Sequence, residues 1–211
     1  MVAMYVRCGK HYMKTQAPSE PGGSFPVPAT STTPLLALRC SPAIRPYLAE
    51  DALATSDDVA ILIDTPVTFQ QIANAAPITI SSASTQSLSV TVSVNGKTLT
   101  TGNVPLNATA HPLPFKLSAI TARTQAYNIS CSATLSHQKF QAFGSLSFLP
   151  DPPSTIGSVT KMDLRTGALL ARPANGKGGP FAPVFPIGYY TNFGGYLDKD
   201  FTIPATLASQ G

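Results

Sequence analysis

The sequence predicts a mainly β protein with an Ig-like β-sandwich, and three observations lead to that fold class. Short apolar or alternating segments follow one another from Leu35 to Leu149, with Pro, Gly or Asn between them about every ten residues, as in sandwich domains. Leu88–Val94 alternates apolar residues with Ser and Thr, and Asn95-Gly96 follows it directly, which is the strongest hairpin signal in the chain. Charged residues make up only 11% of the 211 residues, so Ser, Thr, Asn and Gln must form the polar surface, and these suit strands better than charged helices.

Seven strands are predicted in this region, each an apolar run or an alternating pattern bounded by turn residues. Val59–Ile63 is apolar throughout and fits a central strand that is buried on both faces. A turn at His137-Gln138 reverses the chain, and the prolines of Pro150–Pro153 end the last strand, because proline cannot donate to a central ladder. The predicted strands are Val59–Ile63, Ile78–Ile80, Leu88–Val94, Lys97–Thr100, Phe115–Ile120, Ala126–Leu135 and Phe140–Phe148.

The composition divides the chain into four predicted segments. Residues 1–33 are rich in Pro, Gly and Ser without periodicity and predict a disordered leader. Residues 34–153 form the β-sandwich, and residues 154–180 form a hairpin followed by a Gly-rich linker. Residues 181–211 contain a strand, a loop and a helix, which is one β/α unit.

The elements after residue 153 are predicted from short patterns. Val159–Leu164 and Ala168–Arg172 are two strands joined by a Gly-containing turn. Phe185–Tyr190 is a compact apolar strand. A helix follows over Phe201–Gln210, with Gly211 as its C-terminal cap.

The three cysteines predict a disulfide framework. Cys40 and Cys131 lie in the patterned region, whereas Cys8 lies in the leader. A Cys40–Cys131 disulfide with Cys8 as an odd thiol is the preferred arrangement, and three buried free thiols are the alternative. The disulfide would close a loop long enough to stabilise the fold by about 4 kcal/mol.

Two sequons point to an extracellular or cell-wall protein. Asn107-Ala-Thr109 and Asn128-Ile-Ser130 are candidate N-glycosylation sites, and the low charge also favours secretion. The positive N-terminal segment, residues 1–14, is not followed by the apolar run of a signal peptide. Either the signal peptide is missing from this sequence or the protein leaves the cell by another route.

Tyr127 is a candidate for a tyrosine corner, in which a tyrosine just inside a strand bonds its hydroxyl to the preceding loop. Its spacing to Cys131 is four residues rather than the two of antibody domains. The architecture is therefore predicted to be Ig-like without being of the antibody type. The alternative is that Tyr127 packs without that bond.

Several partners and site types are not expected. The fourteen Lys and Arg are scattered, with no basic stripe among aromatics, which argues against nucleic acid. No run of ~18 apolar residues exists, so no membrane span is predicted. The histidines are isolated and Cys-x-x-Cys is absent, so no metal site is predicted. The sequence has neither a phosphate-binding loop nor a nucleophile elbow, so neither a cofactor nor acyl-enzyme chemistry is predicted.

Acidic residues that flank the first predicted strand are the one candidate for acid–base chemistry. Glu50-Asp51 and Asp57-Asp58 both come before Val59–Ile63 in the sequence. They form either a catalytic carboxylate pair or solvated loop caps. We favour loop caps, because neighbours in sequence rarely face one cleft.

The C-terminal segment resembles a known family. Arg165–Leu170, then Phe181 and Val184–Tyr190, resemble the junction in glycoside-hydrolase-like proteins where an N-terminal β-sandwich leads into a (β/α)₈ barrel. The pattern Ile203, Leu207 and Gly211 is similar to the helix after the first barrel strand. From Leu38 onward the chain resembles the N-terminal part of fungal secreted proteins of this kind.

The resemblance implies a chain that stops before the active site. A barrel needs ~200–250 further residues, and its two catalytic acids lie on later strands, so no catalytic residue is transferred. Tyr190 and Asn192 would be remnants of a substrate cleft at the end of the first barrel strand. The implied function is a non-catalytic accessory β-sandwich, and the alternative is an independent secreted or cell-surface binding module. Carbohydrate or cell-wall polymer is the candidate partner, although the absence of Trp argues against stacking of sugars on indole rings.

Overall fold

The chain is mainly β, as predicted, with one short α-helix near its C-terminus. The computed structural model describes residues 27–53, 58–80, 86–153, 159–172, 179–185, 194, 199–200 and 202–210. The strands of this part are β1 (Thr30–Ala37), β2 (Arg39–Pro42), β3 (Ile44–Arg45), β4 (Tyr47–Leu48), β5 (Ala60–Asp64), β6 (Val67–Gln70), β7 (Ala75–Pro77), β8 (Ser87–Val94), β9 (Lys97–Pro105), β10 (His111–Pro114), β11 (Tyr127–Leu135), β12 (Gln138–Leu146), β13 (Phe148–Leu149), β14 (Thr160–Asp163), β15 (Ala168–Ala171) and β16 (Ala182–Val184). The helices are two 3₁₀ turns, Ala49–Leu53 and Leu117–Ala119, and α1 (Ile203–Gln210).

The strands form four sheets and one parallel pair. Sheet I has the strand order β12-β11-β8-β9, sheet II β10-β5-β2, sheet III β6-β1-β7 and sheet IV β16-β15-β14-β3, while β13 pairs in parallel with β4. Side chains alternate between buried and exposed along β11 from end to end. Buried residues from sheets I, II and III form one hydrophobic cluster, which is consistent with a β-sandwich, while Ala60 and Leu62 of β5 belong to a second, smaller cluster.

The two layers are joined by the predicted disulfide. Cys40 in β2 and Cys131 in β11 are bonded, and their Cα atoms lie 6.5 Å apart. Their layers also approach closely beside it, because a Cβ added to Gly144 in β12 would lie 2.7 Å from the carbonyl oxygen of Cys40. A side chain at position 144 would therefore push the layers apart.

The most local predictions are confirmed. Asn95 and Gly96 join β8 to β9, and both have positive φ, 50° and 77°, as a type I′ turn requires. Strand β5 is the central strand of sheet II, between β10 and β2, and its first four residues are buried. Thirteen strands, not the seven predicted, lie between Thr30 and Leu149 among the described residues, because short strands of two to four residues carry too little pattern to be recognised.

The strand predicted over Ile78–Ile80 is wrong. The strand of this region is Ala75–Pro77, which pairs with β1. At Thr79 the side chain of Gln138 takes the place of a neighbouring strand, since its Oε1 accepts the Thr79 amide at 2.8 Å and its Nε2 donates to the Thr79 carbonyl at 3.1 Å.

The strand predicted over Phe115–Ile120 is also wrong. The strand ends at Pro114, and Leu117–Ala119 forms a 3₁₀ turn. Phe115 and Leu117 are both buried, so their alternation marks a turn over the core and not an extended strand. The prolines of β10 are accommodated because this strand lies at the edge of sheet II.

Two further predicted boundaries differ from the observed ones, because they depend on strand pairing that the sequence does not reveal. Strand β1 begins at Thr30, inside the leader predicted for residues 1–33, and the Thr-rich start of this strand pairs with β6. Residues 1–26 of the predicted leader lie outside the described part of the chain. The predicted His137-Gln138 turn consists of Ser136 and His137, with Ser136 at φ 53° and Gln138 already in β12.

The predicted hairpin forms but does not stand apart from the sandwich. Strands β14 and β15 pair as expected, and β14 also pairs with β3, which lies within the predicted sandwich segment. Strand β3 of the predicted sandwich segment and β14 of the predicted hairpin segment therefore belong to one sheet. Strand β16 continues the same sheet, antiparallel to β15.

The rest of the C-terminal prediction is described only in part. Helix α1 begins at Ile203, after Asp200 accepts the amide of Thr202 at 2.8 Å, and it confirms most of the predicted helix. Phe185 is described outside any strand. Residues 186–193, with Tyr190 and Asn192, lie outside the described part of the chain, as do Gly211 and Cys8.

Candidate functional site

A cleft of about 340 Å³ lies where the β14–β15 hairpin meets the segment that follows β3. We call it the charged cleft. The residues that its chemistry depends on are Tyr47, Asp51, Asp58, Lys161, Leu170 and Phe181. All four ion pairs found among the described residues lie in or beside it, in a chain with only 11% charged residues.

A buried ion pair forms the centre of the cleft. The ammonium of Lys161 donates to both carboxylate oxygens of Asp51, at 2.8 and 2.7 Å, and the amide of Leu48 donates to Asp51 Oδ2 at 2.7 Å. The Lys161 side chain is 4% exposed and that of Asp51 is 23% exposed. Strand periodicity explains the placement, because Lys161 and Asp163 share the inner face of β14 while Met162 points outward. A lysine this deeply buried requires a partner of opposite charge.

An aromatic ring and a second ion pair border Lys161. The Lys161 ammonium lies 4.0 Å from the ring centroid of Phe181, and the guanidinium carbon of Arg172 lies 4.6 Å from the same centroid. Arg172 bonds Glu50, and the amide of Glu50 donates to Asp151 Oδ1 at 2.9 Å. The bond from Arg172 lowers the pKa of the Glu50 carboxyl below its ordinary value. Phe181 is thus held between two cations from the hairpin.

Arg165 connects the hairpin turn to the sandwich. Its Nε and one terminal nitrogen donate to the two oxygens of Asp163, each at 2.9 Å, and the guanidinium also lies 2.6 Å from Asp58. The bond from Arg165 lowers the pKa of Asp163, and the two carboxylates raise the pKa of Arg165. The Arg165 side chain thus joins three elements, which are the segment just before β5, strand β14 and the turn of the hairpin.

Tyr47 forms the floor of the cleft. It is 1% exposed, its hydroxyl lies 2.9 Å from the carbonyl of Asp58 and 3.1 Å from that of Ala60, and its ring packs edge-on against Phe115. The amide of Ile44 donates to the same hydroxyl at 3.4 Å. Burial raises the pKa of Tyr47 to about 12, although the backbone bonds oppose this shift. The hydroxyl therefore stays protonated at neutral pH and acts as a structural donor.

The arrangement is suited to joining two parts of the fold. Glycoside hydrolysis requires one protonated carboxyl and one free carboxylate facing a sugar. In the charged cleft Asp51 is paired with Lys161 and Asp58 with Arg165, and the bonds that lower the pKa of Glu50 oppose a role as general acid. Glu50, Asp51 and Asp58 are each paired with a cation, although the Asp58 side chain stays 50% exposed and Asp51 also accepts the Leu48 amide as a loop cap does.

Sequence reasoning missed the cationic half of this site. Lys161, Arg165 and Arg172 lie in the segment predicted as hairpin and linker, and Phe181 begins the segment predicted as a β/α unit. The available signal was the alternation along β14, which places Lys161 and Asp163 together on one face of the strand, and this face is buried. Lys161 and Arg172 each lie more than a hundred positions after the acid that they pair with, so nothing local indicates the pairing.

The predicted site residues are placed as follows. Cys40 and Cys131 form the disulfide, which excludes the free-thiol alternative for these two. Tyr127 forms the predicted tyrosine corner, because its hydroxyl donates to the carbonyl of Thr121 at 2.6 Å. Asn107 and Asn128 are both exposed, and Asn107 Oδ1 accepts the Val67 amide at 2.8 Å. The structure brings none of these residues into the charged cleft.

Neither a metal centre nor a membrane span is found in the described part of the chain. No cluster of three or more His, Cys, Asp or Glu side chains there is arranged to bind an ion. No helix described has the length and apolar character to cross a bilayer. In comparisons with known proteins, no family model, no curated protein and no solved structure matches this chain.

Proposed function

We propose that the chain is a non-catalytic, Ig-like β-sandwich module of an extracellular or cell-wall protein of the glycoside-hydrolase-like kind. One observation carries this proposal. The carboxylates of the charged cleft are bonded to cations from the hairpin, so that the cleft holds the C-terminal segment on the sandwich. Neighbouring domains move relative to each other by default, so ion pairs that fix the following segment fit a module that positions what it is attached to.

Two features support the Ig-like assignment. The disulfide between β2 and β11 links two packed layers, as in Ig domains, and Tyr127 bonds back to the preceding corner. A disulfide also supports an oxidising location, because thiols of cytosolic proteins are kept reduced. The extracellular assignment rests on this bond and on the two sequons.

The experiment for the proposal is an activity assay on the purified full chain. We expect no turnover of aryl glycosides or polysaccharides at any pH from about 4 to 8, where carboxyl catalysts work. Asp51→Asn is the informative variant, since it removes the charge that pairs with Lys161. Turnover that survives rigorous purification and is lost in Asp51→Asn would overturn the non-catalytic assignment.

An independent binding module is the second candidate. The outer face of sheet I carries rows of uncharged hydroxyls, which suit hydrogen bonding to a neutral polysaccharide. The rows include Ser89, Thr91, Ser130, Ser132 and Thr134. Retention on insoluble cell-wall polymer that is lost when Thr91 and Ser132 are replaced by Glu would favour this candidate over the accessory role.

A further inference from the structure

We propose that an N-linked glycan on Asn128 packs its first sugar against the ring of Phe143. The inference rests on the proposed extracellular location. Its starting point is Phe143 itself, which is 74% exposed on the outer face of β12. Gln141 and Ser145, its neighbours on that face of the strand, are polar and exposed. A large apolar ring is therefore left uncovered in a polar surface.

The strand register brings the sequon to this ring. In the ladder between β11 and β12, Asn128 pairs with Ser145 and Ser130 pairs with Phe143. Asn128 and Ser130 are exposed while Ile129 between them is buried, so both ends of the sequon share the outer face with Phe143. Asn128 and Phe143 are diagonal neighbours, a relation that places Cβ atoms roughly 7–8 Å apart. The first sugar of an N-glycan spans such a distance.

The chemistry of the contact is that of a sugar ring on an aromatic ring. A pyranose presents C–H groups on one face, and the electron-rich face of a phenyl ring attracts them. The ring of Phe143 also loses water-exposed apolar area when it is covered. The glycan of the same chain is always present at the required position, whereas a separate ligand must be recruited from solution.

The glycan is attached by transfer from a lipid diphosphate-linked oligosaccharide. Asn128 Nδ2 forms a bond to the anomeric carbon of the sugar and loses one proton, while the bond from that carbon to the diphosphate oxygen breaks and the lipid diphosphate leaves. Asn128 lies at the start of β11, beyond the point where β8 ends at Val94, so the acceptor is at the margin of sheet I. The other sequon provides an internal comparison, since Asn107 follows β9 in a turn and bonds Val67.

The test uses the full chain, directed into the secretory pathway of a eukaryotic host by a cleavable leader. The background variant Thr109→Ala removes the Asn107 sequon but keeps the Asn107 bond to Val67. Peptide mass measurement reports occupancy at Asn128. One enzyme then trims the glycan to its first N-acetylglucosamine, and another removes it entirely, which leaves Asp. Asn128→Asp, made without glycan, is the matched control for that product.

We expect occupancy at Asn128 and a Tm that is unchanged by trimming to one sugar. Complete removal should lower Tm by about 2–4 °C, the shift that corresponds to a modest contact in a chain of this size. In Phe143→Ala and Phe143→Leu, complete removal should change Tm by less than half as much. An equal fall in Tm on complete removal in the chain with Phe143, in Phe143→Ala and in Phe143→Leu would overturn the proposed contact.

Two other outcomes also overturn the proposal. An Asn128 peptide without hexosamine excludes the modification, and dimers that are lost in Phe143→Ala assign the ring to a second copy of the chain. The cleavable leader added for expression takes the chain into the secretory pathway whatever the protein's natural location is. A natural protein found inside the cell would therefore contradict the extracellular proposal while leaving the measured contact intact.

Discussion

Lys161 and Asp51 form a bidentate ion pair across 110 positions of sequence. Asp51 lies in the 3₁₀ turn after β4, and Lys161 lies in a hairpin that the composition assigns to a separate segment. Because the hairpin strand also pairs with β3, backbone and side chains join the same two regions. The ion pair is the centre of a contact between the predicted sandwich segment and the predicted hairpin segment.

Removal of the Lys161 charge should loosen the hairpin. Lys161→Met leaves the largely buried Asp51 carboxylate without its cation, and we expect a loss of about 2–3 kcal/mol in the free energy of unfolding. The loss is smaller than for a fully buried pair because Asp51 keeps some exposure and the Leu48 amide. Urea unfolding measures the loss, and hydrogen exchange in β14 and β15 should rise with it.

Lys139→Ala is the matched control, since Lys139 is exposed on the outer face of β12. The double variant Lys161→Met/Asp51→Leu should recover most of the loss, because it removes both charges. Equal unfolding free energies for Lys161→Met and Lys139→Ala would contradict the assigned role.

The fold should lose stability at high pH through Tyr47. Its folded pKa is about 12, above the ordinary 10.0, so the folded state holds this proton more tightly than the unfolded state. Stability from this group is complete below about pH 10 and is lost as the pH rises toward 12, by about 2–3 kcal/mol in all.

Unfolding followed between pH 8 and 12, roughly the range that brackets both pKa values, measures this slope. Tyr47→Phe keeps the packing against Phe115 and lacks the ionisable group. It should be less stable at neutral pH, because its backbone partners lose a bond, but its stability should fall less steeply above pH 10. Parallel curves for the two proteins would show that another group titrates.

The disulfide should be the largest single stabiliser of the sandwich. Cys40 and Cys131 are separated by 91 positions, and a loop of this length predicts about 4–5 kcal/mol in the chain-entropy description. Cys40→Ala/Cys131→Ala should lower Tm by roughly 10 °C or more. A reducing agent should lower the Tm of the original chain to a similar extent and leave that of the double variant unchanged, and a reductant effect in both would contradict the pairing.

Gly144 should be intolerant of a side chain. In Gly144→Ala the new Cβ meets the backbone carbonyl of Cys40, which cannot move without separating the layers, and we expect a loss of about 1–3 kcal/mol. Gly102→Ala is a matched comparison in β9, where the new Cβ meets only the end of the flexible Leu113 side chain. Chemical denaturation should rank Gly144→Ala as the more damaging, and the reverse order would be inconsistent with the close approach of β2 to β12.

Features that depend on residues close together in the chain could be predicted from the sequence. The alternation of Leu88–Val94 and the Asn95-Gly96 turn specify their hairpin because the pleat and the positive-φ turn are local properties. The cysteine count reduces the pairing to few possibilities, and the Cys40–Cys131 disulfide is one of them. Tyr127 likewise bonds to Thr121, only six positions away.

Features that depend on distant partners required the tertiary structure. Ile78–Ile80 has the pattern of a strand, but the side-chain amide of Gln138 bonds the Thr79 backbone where a neighbouring strand would lie. Glu50 and Asp51 carry no local sign of the cations that reach them from the hairpin. The sequence alone determined a β-rich chain with its main hairpins and favoured one disulfide, since these follow from periodicity and composition. Only the folded chain decided which charges meet and which short strands pair, because those contacts form between segments that share no pattern.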